Sequence, residues 1–228
     1  MDQAERDRTA YTEARKFLLR FEYQGVTERI LDKYLHFSEI QPKPETLAGI
    51  YLALLQSAQN RNMVEGLVGG ASGGVSRLGT ALFDFEPVKV IQKYSADWEQ
   101  VLDEIERVLK PKGKIRKSKK SIWPRYCQTI LSSAEFLSQF DSAQDFYSWV
   151  DTFDQDPRSR AALPMLLARE IDGYGFTLSC DFLKELGYAN FAKPDVHVKE
   201  FFRKLGLCPL KADDYGGFRA EIRVAHSC

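Results

Sequence analysis

Helical periodicity along nearly the whole chain is the feature that most constrains the fold. In the segment from about residue 5 to 23, Tyr11, Ala14, Phe17, Leu18 and Phe21 recur at a spacing that places them on one face of a helix. Comparable patterns cover residues 30–35, 44–67, 87–109, 126–140, 143–153, 160–171, 176–186 and 196–205. Almost no segment has the two-residue alternation of a β-strand. The predicted fold class is therefore all-α.

The domain organisation is predicted from length and composition. A chain of 228 residues with 44% hydrophobic content can bury a substantial core, as one large domain or two smaller lobes. No repeat of twenty to fifty residues is present, which argues against a solenoid. We predict a two-lobed helical bundle: residues 1–40 form helices that pack on the second lobe, 41–135 form one lobe and 136–228 form the other. The apolar segment 44–67 is predicted as a central, buried helix.

A glycine-rich segment, residues 66–79 (GLVGGASGGVSRLG), interrupts the helical pattern. Its six glycines and two serines raise the entropy cost of order, so we predict a loop. It resembles a phosphate-binding loop only superficially, because no Gly-Lys-Ser/Thr follows it and no β-branched strand precedes it.

The chain as a whole has balanced charge, but one short segment is strongly basic. The 32 Lys and Arg residues balance the 32 Asp and Glu residues, so any surface for nucleic acid must be local. The basic segment, residues 110–120, concentrates seven cations: Lys110, Lys112, Lys114, Arg116, Lys117, Lys119 and Lys120. Such a run is either a solvated connector or, in a DNA-binding protein, a set of phosphate contacts.

Several classes of protein are disfavoured by composition. Cys127, Cys180, Cys208 and Cys228 are far apart and form no metal-binding spacing, so reduced thiols and no metal are expected. No run of eighteen apolar residues is present, and the first residues are charged, unlike a signal peptide. We expect a soluble, cytoplasmic protein without a membrane partner.

Residues 170–207 carry most of the functional signal. A helix is predicted to end at Ile171, and Gly173 and Gly175 permit a tight turn before a second helix from Phe176. The N–H groups and the dipole at such a helix start can bind a phosphate without basic side chains. Farther on, Asp195 occupies the N-cap position of the helix 196–205, a role worth about 1 kcal/mol that alone would explain an aspartate here.

These residues resemble a known family. Residues 171–175 (IDGYG) resemble the hydrophobic-Pro-Gly-x-Gly hairpin of the helix-hairpin-helix DNA glycosylases, the group that includes endonuclease III, with the motif at about 160–187. In that family an aspartate follows in an Asp-x-His-hydrophobic context, as in residues 195–198 (DVHV). Residues 54–59 (LLQSAQ) are similar to its helix end of Leu-Ser-Ala-Gln type. The resemblance covers roughly residues 40–207.

The resemblance implies a base-excision enzyme that extrudes a damaged or modified base from double-stranded DNA and hydrolyses its N-glycosidic bond. Asp195 would stabilise the sugar cation and activate water, and Gln59 would fill the gap left by the base. The implied DNA contacts are Gln59, Gly173, Tyr174, Gly175, Thr177, Lys193 and His197, the last as a structural or phosphate-contacting residue. The expected protein is a monomer without a cofactor, a monovalent cation at the hairpin being left open.

The base pocket is the least defined part of this prediction. Trp123, Tyr126 and Phe136 are candidates to stack on the extruded base, but their helical spacing fits a core equally well. Pocket shape and a few polar contacts decide specificity, so oxidised, alkylated, mismatched and deliberately modified bases all stay open.

Two departures from the family pattern keep other functions open. Asp172 replaces the hairpin proline, and Thr177 replaces the lysine of bifunctional members, which forms a Schiff base with the sugar. The resemblance therefore implies a monofunctional glycosylase, and a bifunctional glycosylase and lyase using Lys184 or Lys193 is one alternative. The others are a non-catalytic helix-hairpin-helix DNA-binding protein and an all-helical interaction protein unrelated to DNA. Residues 211–228 have no predicted function.

Overall fold

Every regular element that the structure describes is helical. The computed structural model describes residues 3–20, 25–35, 42–59 and 66–206, and no strand occurs in these ranges. The α-helices are α1 (Gln3–Leu19), α2 (Glu28–Leu35), α3 (Leu47–Gln59), α4 (Pro87–Tyr94), α5 (Trp98–Leu109), α6 (Ile122–Leu137), α7 (Ala143–Asp154), α8 (Ala162–Glu170), α9 (Phe176–Glu185) and α10 (Val196–Leu205). The all-α prediction is confirmed.

Two predicted boundaries were wrong. The pattern over 87–109 predicted one helix, but the chain breaks between α4 and α5 at Ser95, whose φ is 50°. Asp97 then caps α5 by accepting from the N–H groups of Glu99 and Gln100, at 3.0 and 3.2 Å. The segment 44–67 was predicted as one α-helix, but α3 begins at Leu47, and Gly66 and Leu67 belong to a π-helical turn. Residues 60–65 lie outside the described residues.

The glycine-rich segment is not the loop that its composition predicts. It contains a π-helical turn at Gly66–Gly70 and a 3-10 turn at Val75–Thr80. Val68, Val75 and Leu78 are buried, and the Ser72 hydroxyl donates to the Val68 carbonyl at 2.6 Å. Three apolar anchors therefore offset the entropy cost of ordering the glycines.

The core is built around α6, which packs against α3, α4, α5 and α8. Helix α9 packs on α8 and α3. Within the described residues the buried apolar side chains form one cluster that extends from Ile50 to Phe191. The division into lobes at residue 135 stays a prediction.

Buried tyrosines fix the C-terminal half of α3. The Tyr126 hydroxyl donates to the Leu55 carbonyl at 2.8 Å, and the Tyr174 hydroxyl donates to the Leu54 carbonyl at 2.6 Å. A buried hydroxyl without a partner is costly, so these bonds define how α6 and the turn after α8 sit on α3. These two hydrogen bonds fix the C-terminal end of α3, which carries Gln59.

The remaining sequence expectations concern membranes and metals. No helix in the described part of the chain is long and apolar enough to cross a bilayer. In the same part of the chain, His, Cys, Asp and Glu side chains form no cluster of three that would hold a metal ion. Cys127 and Cys180 are buried free thiols, and burial raises the pKa of Cys127. Cys208 and Cys228 lie outside the described residues.

Candidate active site

The hairpin, residues 171–175, joins α8 to α9 by a tight turn. The Tyr174 N–H donates to the Ile171 carbonyl at 3.1 Å, and Gly173 has a φ of 83°, which residues with a side chain rarely adopt. Gly175 is the N-cap of α9 and has an extended backbone that any residue tolerates, with a φ of −118°. A Cβ added at Gly175 would meet no atom within 4 Å. Neither the backbone conformation nor contacts within the protein therefore require glycine at 175. The glycine leaves the start of α9 without a side chain.

The hairpin is fastened to α6 at Asp172. The Asp172 N–H donates to the Ser132 hydroxyl at 2.9 Å, and the Thr129 hydroxyl donates to the Asp172 carbonyl at 2.6 Å. A proline, as in the family pattern, has no N–H to donate here. Asp172, which replaces the proline of the family pattern, therefore supplies an N–H that the Ser132 hydroxyl accepts. Sequence reasoning missed Thr129 and Ser132, because they lie some forty residues away.

Asp195 is held at the N-terminus of α10. Its Oδ1 accepts from the Val198 N–H at 2.9 Å, which confirms the predicted N-cap. The side chain is half-buried behind the buried Pro194, and in the described part of the chain Oδ2 has no hydrogen-bond partner. One carboxylate oxygen therefore fixes the side chain while the other stays available to a ligand.

Both lysines considered as alternative nucleophiles contact one buried carboxylate. Asp181, on α9, is 4% exposed, and its oxygens lie 2.9 Å from Lys193 Nζ and 3.5 Å from Lys184 Nζ. Burial lowers the pKa of Lys184, but the nearby carboxylates of Glu185, at 3.0 Å, and Asp181 outweigh it, so the net pKa is raised. A lysine that attacks a sugar must be neutral, so this environment disfavours that role for Lys184.

Gln59 lies at the last residue of α3, next to the glycine-rich segment. Its side-chain oxygen contacts Gly69 so closely that a Cβ there would collide with it. Gln59 is half-buried and, with Gln56, Gly70 and Ser76, lines an open groove of about 640 Å³. The ordering of the glycine-rich segment therefore determines what Gln59 can reach.

The other predicted DNA contacts lie at helix starts or in the core. Thr177 is the second residue of α9 and is half-buried, and His197 is the second residue of α10 and is exposed. Tyr174 is 7% exposed, with its hydroxyl bonded inside the core, so only its main chain lies at the hairpin surface.

Of the three candidate base-pocket aromatics, one lines a cavity. Tyr126 is buried and bonded to α3, and Phe136 packs edge-to-face against Phe140 and Trp149, at ring-centre distances of 5.4 and 5.7 Å. Trp123, at the start of α6, is 7% exposed and forms part of a cavity of about 820 Å³. The structure thus places Tyr126 and Phe136 in the core.

Adjacent elements carry the three parts of the predicted site. The hairpin contacts α3 through the Tyr174 hydroxyl, which bonds to the carbonyl of Leu54, five residues before Gln59. The Lys193–Asp181 ion pair ties the segment before Asp195 to α9. Asp181 was missed because an aspartate three residues before a lysine on a helix is typical of a solvated surface pair.

Comparison of the chain with protein-family profiles, with characterised proteins and with solved structures finds no match.

Proposed function

We propose that this protein is a monofunctional DNA glycosylase that uses Asp195 to hydrolyse the N-glycosidic bond of a damaged or modified base. The observation that carries the proposal is the environment of Asp195, whose carboxylate is immobilised at the start of α10 by one oxygen while the other has no partner among the described residues. A fixed anion is the group required next to a sugar that develops positive charge.

The chemistry needs little beyond this carboxylate and a water molecule. As the bond from C1′ to the base nitrogen breaks, Asp195 stabilises the cationic sugar. Water then adds to C1′, one of its protons passes to Asp195, and the departing base nitrogen takes up a proton from solvent. The products are a free base and an abasic site in an intact strand.

Contact with double-stranded DNA is assigned to the hairpin and to Gln59. The bare start of α9 at Gly175 allows a phosphate to approach the backbone N–H groups closely, as helix-hairpin-helix proteins require. Gln59 would enter the duplex and occupy the space of the extruded base, with Lys193 and His197 near the same strand. The proposed enzyme acts as a monomer and needs no cofactor, and a monovalent cation at the hairpin stays a prediction.

The environment of the lysines favours a monofunctional enzyme. Thr177 cannot form a Schiff base, and Lys184 and Lys193 both pair with Asp181. The alternative, a bifunctional glycosylase and lyase, would need one of them to leave this carboxylate and lose its proton. Borohydride treatment during a reaction tests this directly, because a Schiff base is trapped as a covalent protein–DNA adduct. We expect no adduct.

The test of the proposal is a panel of duplexes that each carry one defined lesion. Wild-type protein, Asp195→Asn and the matched control Asp97→Asn are incubated with each duplex, and abasic sites are revealed with alkali. Asparagine caps helices as well as aspartate does, so both variants should fold, and Asp97 caps α5 in the same manner. We expect alkali-dependent cleavage by the wild type and the control, and at least a hundredfold loss for Asp195→Asn.

Binding without cleavage would instead support the non-catalytic alternative. If no duplex in a broad panel is processed while duplex affinity falls steeply with salt, the chain is a DNA-binding protein. If no duplex is bound either, the interaction protein unrelated to DNA is the better account.

A further inference from the structure

The cavity of about 820 Å³ lies between the glycine-rich segment and the basic segment. Gly70 and Ala71 form one side, and the Lys112 N–H donates to the Ala71 carbonyl at 2.9 Å, which joins the two segments. The other side is formed by side chains of the basic segment and of the start of α6: Lys112, Lys114, Arg116, Ser118, Lys120, Ser121 and Trp123.

The charges around this cavity are of one sign. Its lining residues include no carboxylate, and within the described part of the chain the cations Lys112, Lys114, Arg116 and Lys120 have no ion-pair partner. Lys117, from the same segment, is turned outward and pairs with Asp103 and Glu106 at 2.8 and 2.7 Å.

Four uncompensated cations around a concave surface concentrate positive potential there and attract an anionic ligand. The Ser118 and Ser121 hydroxyls bond to each other at 2.6 Å and leave one O–H free to donate to a ligand. The small residues Gly70 and Ala71 let a ligand approach the main chain. The cavity is larger than one phosphate ion needs. It adjoins the groove of Gln59, because Gly70 lines both. A chain of linked phosphates that continues past Gln59 fits these features better than a single small anion.

We infer that this cavity binds the phosphates of a nucleic-acid strand and guides that strand towards Gln59. That the strand belongs to DNA rests on the proposed function. That the cavity binds phosphate rests on the charges of the cavity itself. Phosphate is the recognised group, and it can come from a polynucleotide or from a free nucleotide.

The test compares two double variants that remove the same charge. Lys114→Gln/Arg116→Gln removes two cavity cations, and Lys89→Gln/Lys93→Gln removes two exposed cations of α4, outside both the cavity and the basic segment. The affinity of each for a fluorescent single-stranded oligonucleotide is measured by anisotropy over a range of salt concentrations. The cavity variant should lose about tenfold or more at low salt, and its log–log salt slope should fall by about 1.4, two contacts of about 0.7 each. The control should stay within about twofold of wild type.

Equal losses in the two variants would overturn the inference, since net charge alone would then explain binding. Displacement of the oligonucleotide by a deoxynucleoside monophosphate at equal phosphate concentration would also overturn it, in favour of a free-nucleotide site. The lesion panel separates this inference from the proposed function. Wild-type binding that depends on the cavity, without base release, contradicts only the proposed function; base release by a cavity variant with unchanged binding contradicts only the cavity.

Discussion

At the scale of single residues, Asp195 has a structural role in the fold and a chemical role in the proposed function. As an N-cap it stabilises α10 by about 1 kcal/mol, and the proposed catalysis uses its negative charge. Serine caps helices about as well as aspartate but carries no charge. The two roles are therefore separable by substitution.

We predict that Asp195→Ser keeps the stability of the fold and abolishes base excision. Its free energy of unfolding in urea should stay within about 0.5 kcal/mol of wild type, while Asp195→Ala should lose about 1 kcal/mol. Base excision by Asp195→Ser should fall at least a hundredfold. Retention of excision by the serine variant would show that Asp195 acts only as a cap.

Asp181 is expected to act as a positioning residue for the segment that carries Asp195. Asp181→Ala removes the common partner of Lys193 and Lys184, and should destabilise the fold by about 1–2 kcal/mol. This is less than for a fully buried pair, because both lysine ends reach solvent. The expected kinetic signature is a lower kcat with little change in KM, and partial rescue by Asp181→Glu. Equal activity of Asp181→Ala and wild type would contradict this role.

At the scale of elements, the two hairpin glycines should respond differently to alanine. Gly173→Ala forces a side chain into a positive φ and should cost about 1–2 kcal/mol of stability. Gly175→Ala introduces no clash and no strained φ, and should lose less than about 1 kcal/mol as a poorer N-cap. Its DNA affinity should nevertheless fall, because the new Cβ would lie on the path of the proposed phosphate contact at the start of α9. Thermal unfolding and anisotropy measure the two effects, and unchanged affinity in a folded Gly175→Ala variant would contradict the hairpin's role.

The bounds of helices were predicted well where the local sequence pattern sets them, and poorly where tertiary packing sets them. The bounds of α10 follow directly from an N-cap aspartate and a C-terminal glycine, Gly206, with a φ of 64°. The break at Ser95 was missed because the apolar spacing continues across it, although Asp97 is an N-cap aspartate of the same kind. The same distinction holds in the site: local motifs identify Gly173, Gly175 and Asp195, whereas Ser132 and Asp181 reach the site through tertiary contacts.

At the scale of the whole molecule, buried tyrosines link stability to alkaline pH. Burial raises the pKa of Tyr94 and of Tyr147 from 10.0 to about 12, and it also raises the pKa of Tyr51, Tyr126 and Tyr174. A folded-state pKa above the unfolded value means stability that is fully present below pH 10 and lost as the pH rises through about 12.

We therefore expect helical circular dichroism to persist to about pH 10 and then to fall together with the appearance of tyrosinate absorbance. The buried hydroxyls ionise only when the core opens, so their contribution to the tyrosinate absorbance should appear in the same transition as the loss of the helical signal. Titration of most tyrosines near pH 10 with the helical signal intact would contradict the buried arrangement of these side chains.

The proposed glycosylase releases a base and leaves the strand intact. Its most direct measurement is mass spectrometry of the reaction of wild type and Asp195→Asn with lesion-bearing duplexes, reading the free base and the DNA strand together. We predict a free base and an unbroken abasic strand from the wild type, and neither from Asp195→Asn. A bound duplex from which the wild type releases no base, across all lesions offered, would contradict it.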